Sequence, residues 1–226
     1  MAATKTPGRR LGRPPRDGRS GTDDVKATLL AVASQEFAAE GFAGARVNRI
    51  CALSNTNVRM LYHYFGSKDG LYEKTLEHAL GQLRAAELDV KVEGAEPFEA
   101  LLLLFDFIHA HFDANPTLIR LLSAENLNKA RHLKTMEAIP QMSSPVAERV
   151  RRLVTRGQAS GSVRQSIEPL RLYVMMVALS YFHLSNVHTL SAIFDEDLSR
   201  EPWRRQQHAD ARGMVAAYLT PERTDP

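Results

Sequence analysis

Cysteine is almost absent. The 226 residues hold one, Cys51, so no intrachain disulfide can form and stability has to come from packing, as is usual in a reducing compartment. Cys51 falls on the inner side of a short helical pattern and reads as a small core residue. No uninterrupted apolar stretch reaches the roughly 20 residues of a membrane-spanning helix; Tyr173 to Leu179 is apolar all round but short. Residues 1 to 22 are rich in Arg, Gly and Pro and lack the apolar segment of a secretory leader, so a cytoplasmic protein with no membrane partner is expected. Catalytic signatures are missing too: there is no His-Glu-x-x-His, Cys-x-x-Cys or Gly-x-Ser-x-Gly element, and no Gly-rich loop ends in Gly-Lys-Ser/Thr. Among the eight histidines, His109 and His111 are two apart on different helix faces, and His183 and His188 are five apart and roughly half a turn out of line. No catalytic site, no metal and no cofactor are therefore expected.

An excess of one charge sign is small over the whole chain but large at its start. The formal charge is +3, yet residues 1 to 20 hold six basic residues against Asp17, a charge of +5, which leaves the remainder at −2. The stretch Arg9-Arg10-Leu11-Gly12-Arg13-Pro14-Pro15-Arg16 has the composition of a disordered arm, expected over residues 1–21. Gly12-Arg13-Pro14 resembles the core of an AT-hook, which would lay Arg13 along a narrow, electronegative minor groove. The plainer alternative is a solvated tail that attracts phosphates without regard to sequence.

Beyond the tail the chain becomes periodic. From Val25 to Glu40, Ala27, Leu30, Ala31, Ser34, Phe37 and Ala38 recur at helical spacing, with Thr22 as the expected cap, Asp23 and Asp24 in the first turn and Gly41 as the stop. A second helix fits Val47 to Leu53, with Val47, Ile50 and Cys51 inward and Arg46 and Arg49 outward. Ser54-Asn55-Thr56 breaks the chain, and Asn55 suits the left-handed backbone that a tight corner needs. Asn57 then caps a third helix whose first side chains are Val58, Arg59 and Met60, a helix-turn-helix order in which the third helix enters the major groove N-terminus first.

Together, Gly41-Phe42, the Val47 to Cys51 helix, Leu61-Tyr62-His63-Tyr64-Phe65 and Ser67-Lys68-Asp69-Gly70-Leu71 resemble the N-terminal domain of the tetracycline-repressor (TetR) family over roughly residues 25 to 71. The resemblance implies an all-α homodimer with a three-helix DNA-binding head at 22–67 and a helical ligand-binding and dimerisation body at 68–226. It maps DNA contacts onto Tyr62, His63, Tyr64 and Lys68, to which the start of the third helix adds Asn57, Val58, Arg59 and Met60. Arg59 is the natural guanine reader, because its fork can take O6 and N7 together; Arg46 and Lys68 stand at helix beginnings, where phosphates bind. This chain carries Ala45 and Arg46 where the family usually has a hydroxyl residue, and Ser54-Asn55-Thr56-Asn57 where it usually has a turn like Ala-Gly-Val-Ser.

Beyond Lys68 a long linking helix runs to about Val90, followed by helices over Phe98 to Phe112 and from Pro116 through Leu127. Lys134 to Ser144 has no clear pattern, and Pro145 is the expected start of the next helix, closed by Gly157 to Gly161. Pro169 to Phe194 reads as one long helix, apolar on all sides in its first half, and Pro202 to Leu219 places Trp203, Met214, Val215, Tyr218 and Leu219 on one side. The family resemblance implies that these last two helices pair with their copies in a second subunit. Polar residues set among apolar helical positions, namely His109, Arg120, Glu125, Asn126, His132, Tyr173, Tyr181, His183 and Asn186, are the candidates for an effector cavity, with His109, Arg120, Asn126, Tyr181, His183 and Asn186 first among them. Ser123-Ala124-Glu125-Asn126-Leu127 with Arg131-His132 resembles the body of TetR-family repressors of pyrimidine and nicotinate breakdown, which implies a small planar nitrogen heterocycle, neutral or acidic, as the first ligand to try. The expected function is a ligand-responsive transcriptional regulator, a repressor released from a palindromic operator by a small molecule. The alternative is an architectural, ligand-independent DNA binder that relies on the basic arm.

Overall fold

The computed structural model describes residues 18–92 and 94–222, which form ten α-helices and, among the described residues, no strand. They are α1 (Gly18–Gly44), α2 (Val47–Leu53), α3 (Val58–Phe65), α4 (Lys68–Asp89), α5 (Pro97–Ala114), α6 (Pro116–Leu127), α7 (Ala138–Ser160), α8 (Pro169–Ser185), α9 (Val187–Phe194) and α10 (Glu201–Leu219). A short 3-10 turn, Leu133–Thr135, lies between α6 and α7. Arg13 and the Gly12-Arg13-Pro14 segment lie outside the described residues.

Two apolar clusters organise these helices. The first joins Leu29, Ala33 and Phe37 of α1 to Ile50 and Cys51 of α2, Leu61 and Phe65 of α3, and Leu71, Tyr72 and Leu76 of α4; it also takes Leu121 from α6. So small a unit buries too little surface to be robust alone, and the shared Leu121 ties it to the rest. The second cluster centres on α5, whose Leu101, Leu104, Phe105, Ile108 and Phe112 pack with Val150 and Leu153 of α7, Leu172 and Met176 of α8, and Val215 and Leu219 of α10. Helix α4 runs from one cluster to the other. Arg149 of α7 holds its far end, donating to the carbonyls of Glu87 and Leu88 at 2.7 Å each and to that of Val90, which places a cation at the negative end of the helix dipole.

Local sequence sets several boundaries where they were expected. Gly41 (φ 67°, ψ 176°) leaves the helical path and ends the regular part of α1, since a side chain there would be strained. Asn55 is left-handed at φ 50°, and the Asn57 carboxamide oxygen accepts the Met60 N–H at 2.9 Å. Gly161 closes α7 at φ 74°.

Other boundaries differ. The helical backbone already runs from Gly18, so Thr22 lies inside α1 rather than capping it, and Asp23 and Asp24 fall beyond the first turn. The inward face of α1 is Leu29, Ala33, Glu36 and Phe37, whereas Ala27 and Ala31 are exposed. Ala31 and Ser34 border a cleft of about 270 Å3 shared with α4, α5 and α6, so that side of α1 turns toward the second cluster. Helix α7 starts at Ala138 and carries Pro145 within it. The bond that Pro145 cannot make is to the carbonyl of Gln141, an exposed residue that water can serve. The run from Pro169 to Phe194 is two helices, broken at Asn186 (φ −112°, ψ 11°), whose side-chain N–H donates to the Phe182 carbonyl at 2.9 Å. Nor is α8 buried on every side: Leu172, Met176, Ser180 and His183 face inward, while Leu170, Val174, Met175 and Phe182 are exposed, as is Met214 of α10.

Candidate functional site

Helices α2 and α3 meet at the Asn55 corner, and burial sorts the side chains of α3. Leu61 and Phe65 anchor it in the first cluster, and Tyr64 is half-buried. Arg59, Tyr62 and His63 are exposed, Val58 and Met60 are half-buried, and Asn57 stands exposed at the cap. This amphipathic division gives α3 a firm footing and one side open to solvent, as a groove-reading helix needs. Arg46 is exposed at the cap position of α2. Lys68 opens α4, with its ammonium 4.9 Å from the centre of the Phe42 ring and 3.4 Å from the Ala43 carbonyl.

Sequence reasoning missed the residue that sets α2. Arg46 offers no side-chain cap, and Glu36 of α1 serves instead: its Oε1 accepts the Arg46 N–H at 3.2 Å, and its Oε2 pairs with Arg49 Nε at 3.1 Å. Glu36 is buried, so α1 and α2 are joined through a carboxylate that water barely reaches. A signal was present, since Glu36 lies one residue from Phe37 on the inward side of an amphipathic helix. Cys51 packs nearby as a buried thiol, and burial pushes its pKa up, away from reactivity.

A second cluster lies between head and body, where Glu125 and His132, expected as cavity residues, bond to each other. Glu125 of α6 accepts the backbone N–H groups of His132 at 3.2 Å and Leu133 at 3.4 Å, and its Oε1 lies 2.8 Å from His132 Nδ1. A carboxylate only accepts, so Nδ1 carries the proton in that bond. The His132 ring sits 4.7 Å from both Phe42 and Tyr72, and its Nε2 is 3.7 Å from Asp69 at the start of α4. Burial, then the neighbouring Glu125 charge, pushes the Tyr72 hydroxyl well above its ordinary value. Phe42 of the head, with Asp69 and Tyr72 at the start of α4, therefore closes around a histidine that α6 positions.

In the body the expected effector residues do not share one pocket. His109 and His183 come together: their rings stack at 5.4 Å, and His208 stacks on His109 at 4.3 Å. His109 is pushed down to about 4, first by burial and then by His208 and His183, and burial lowers His183 as well. Both are therefore neutral near pH 7. The His183 ring leans toward the Leu179 carbonyl without making a hydrogen bond of normal geometry, and His109 Nδ1 is also unpartnered. Arg120 lies apart, in a groove beside the α8–α9 corner. The Tyr181 hydroxyl lies 2.7 Å from Ser123 Oγ, Asn186 caps α8, and Asn126 is exposed. Farther along α4, the fully buried Glu87 accepts from the Tyr173 hydroxyl at 2.7 Å and pairs with Arg84 at 2.5 Å, which fixes the linking helix to α8. Burial raises the Glu87 carboxyl despite Arg84. Among the described residues no group of three or more His, Cys, Asp or Glu is placed to hold a metal ion, and no helix is long and apolar enough to cross a membrane.

Residues 29–75 match the family model for bacterial regulatory proteins of the tetR family, and residues 97–215 match that for the tetracyclin repressor-like C-terminal domain. The chain belongs to the TetR family. It is similar to the HTH-type transcriptional repressor NicS of Pseudomonas putida, 34% identical over 177 residues that cover 78% of this chain and 84% of the relative. It is also 32% identical over 156 residues to the HTH-type transcriptional repressor SCO4008 of Streptomyces coelicolor, covering 69% and 76% of the two chains. Among solved structures, a TetR-family transcription regulator from Marinobacter aquaeolei aligns with a TM-score of 0.70 at 20% identity, over 90% of this chain and all of that one. The hemolysin II transcriptional regulator HlyIIR aligns at 0.62 and 18% identity, over 89% and 99%. TetR-family regulators bind DNA and act as dimers with small-molecule effectors. This member is a ligand-responsive, DNA-binding transcriptional regulator of the helix-turn-helix type, which the architectural alternative does not describe.

Proposed function

We propose that this protein is a homodimeric cytoplasmic repressor, rather than a catalyst, that binds a palindromic operator and leaves it when a small molecule occupies the body. In this reading residues 22–67 are the head and 68–226 the body, and the arm before them adds Arg13. Helix α3 enters the major groove with Asn57, Val58, Arg59, Met60, Tyr62, His63 and Tyr64, while Arg46 and Lys68 meet flanking phosphates. The observation that carries it is the Asn57-capped α3 itself, anchored by Leu61 and Phe65 with Arg59, Tyr62 and His63 open to solvent. Dimerisation is assigned to α8 and α10, whose Leu170, Val174, Phe182 and Met214 are large apolar side chains left exposed in one chain.

Effector contacts are sought among His109, Arg120, Asn126, Tyr181, His183 and Asn186, of which Arg120 lines the groove beside the α8–α9 corner and His109 and His183 stack together. Release follows from population shift: an effector that favours one head spacing lowers operator affinity by its differential affinity for the two states. Helix α4 suits the transmission, because Tyr72 and Leu76 sit in the head cluster while Glu87 is bound to Tyr173 of the dimer helix. The test is footprinting on the DNA upstream of the gene, followed by anisotropy titrations. Arg59→Ala should lose about 1 to 3 kcal/mol mainly on the footprinted site, and Lys68→Ala should weaken all DNA and reduce the salt slope by about one. Equal losses on specific and random DNA for Arg59→Ala would remove the base-reading role.

A further inference from the structure

A groove of about 510 Å3 opens where α6 meets the corner between α8 and α9. Its volume lies in the range of small-molecule sites. Ile119 and Leu184 give it apolar walls, and its polar lining holds two guanidinium groups, Arg120 and Arg204, with the hydroxyls of Ser123, Ser185 and Ser199 and the His188 ring. Asp113 is its one acidic residue, already occupied by the Arg204 guanidinium, whose Nη1 lies 2.6 Å from the carboxylate. That leaves Arg120 uncompensated. It is exposed, and among the described residues it has no ion-pair partner. The buried Nε of Arg204 has no hydrogen-bond acceptor either. His183, next to Leu184 on α8, is a buried ring with neither nitrogen hydrogen-bonded.

A site with spare guanidinium donors and apolar walls matches an anion that has a flat apolar body. Guanidinium forks take carboxylates in two parallel bonds, and aliphatic walls accept a ring. Inorganic phosphate would satisfy the charge and leave Ile119 and Leu184 facing water. We propose that this groove binds a small aromatic carboxylate, its anion held by Arg120 and Arg204 and its ring lying between Ile119 and Leu184. The lining of the groove also includes Ala38 of α1, so the site borders the head as well as α6, α8 and α9. As the seat of the effector the groove rests on the proposed ligand-responsive function, and there the occupant would act on the packing of α1 against α6.

Calorimetry on the intact protein without DNA tests the site, using benzoate and the hydroxybenzoates, each against its neutral amide. An acid should bind at least about tenfold more tightly than its amide, and Arg120→Gln should lower the affinity for the acid by at least about tenfold. Because Arg120 is exposed, that variant should melt with the parent; Arg204→Gln should weaken binding as well. No acid binding up to about 10 mM, equal binding of acid and amide, or full affinity in Arg120→Gln would each overturn the proposal. Parallel titrations of operator DNA keep the two readings apart. DNA binding without acid binding overturns the groove and spares the regulator. Acid binding that leaves DNA affinity unchanged supports the site and overturns its role as the effector seat.

Discussion

Replacing Glu36 isolates the contact that positions the helix-turn-helix. Its side chain is 3% exposed, and it holds two donors on α2: the Arg46 N–H at 3.2 Å and Arg49 Nε at 3.1 Å. A hydrogen bond to a charged group contributes about 1.5 to 3 kcal/mol. The Arg49 pair adds less, roughly 0.2 to 1 kcal/mol, because that side chain is 59% exposed and screened by water. Glu36→Ala should therefore cost about 2 to 4 kcal/mol. Glu36→Gln keeps an acceptor for the Arg46 N–H and loses only the charge, so it should cost about 1 kcal/mol. For a chain of this size about 2 to 4 °C of melting temperature goes with each kcal/mol, so the alanine variant should melt roughly 4 to 16 °C lower. Urea unfolding at fixed protomer concentration should show a lower midpoint with an unchanged slope. Operator affinity should fall further than stability explains, because α2 orients α3. An alanine variant within about 0.5 kcal/mol of the parent, or a glutamine variant as damaged as the alanine one, would show that Glu36 does not cap α2.

Asn57→Ala removes the acceptor of the Met60 N–H and should destabilise the chain by about 0.5 to 2 kcal/mol while weakening operator binding; a chemical melt and an anisotropy titration check both. Two helical glycines should respond with opposite signs. A Cβ on Gly81 of α4 meets nothing within 4 Å, so Gly81→Ala should stabilise by up to about 1 kcal/mol. A Cβ on Gly157 of α7 would lie 2.3 Å from Val163 Cγ2, so Gly157→Ala should destabilise by about 1 to 3 kcal/mol, and the companion change Val163→Ala should recover part of the loss. Equal melting shifts for the two glycines would contradict the close approach. His109, held down at about 4 in the fold, binds protons better in the unfolded chain, where an imidazole titrates near 6.5. Its stabilising contribution is therefore present above pH ~6.5 and is lost as the pH falls toward ~4, on the order of 3 kcal/mol at most. His109→Phe should flatten the urea midpoint between pH ~6.5 and ~4.5, and a slope identical to the parent's would refute the assignment.

The limits of α2, the break at Gly41, the left-handed Asn55 and the Asn57 cap were legible because each depends on backbone geometry within a few residues. The start of α7 was not, because a proline normally signals a helix opening; an exposed proline inside a helix leaves only a solvent-served carbonyl behind. The face of α1 was misread for a different reason. Alanines at helical spacing counted as core, whereas α1 contacts two bodies, and its larger Leu29 and Phe37 chose the head.

By itself the sequence determined the all-helical class, the helix-turn-helix and the family, because periodicity, caps and a run of spaced aromatic and basic residues are local properties that survive without any partner. Tertiary structure alone decided which polar groups meet. Glu36 reaches α2 across ten residues, Arg149 reaches the end of α4 across about sixty, and Asp69 approaches His132 from another helix. It also decided that the groove beside α6 takes Arg120 from one helix and Arg204 from another, 84 positions apart. Such pairings depend on how helices cross, and crossing is fixed by the fit of whole faces rather than by the residues of any one segment.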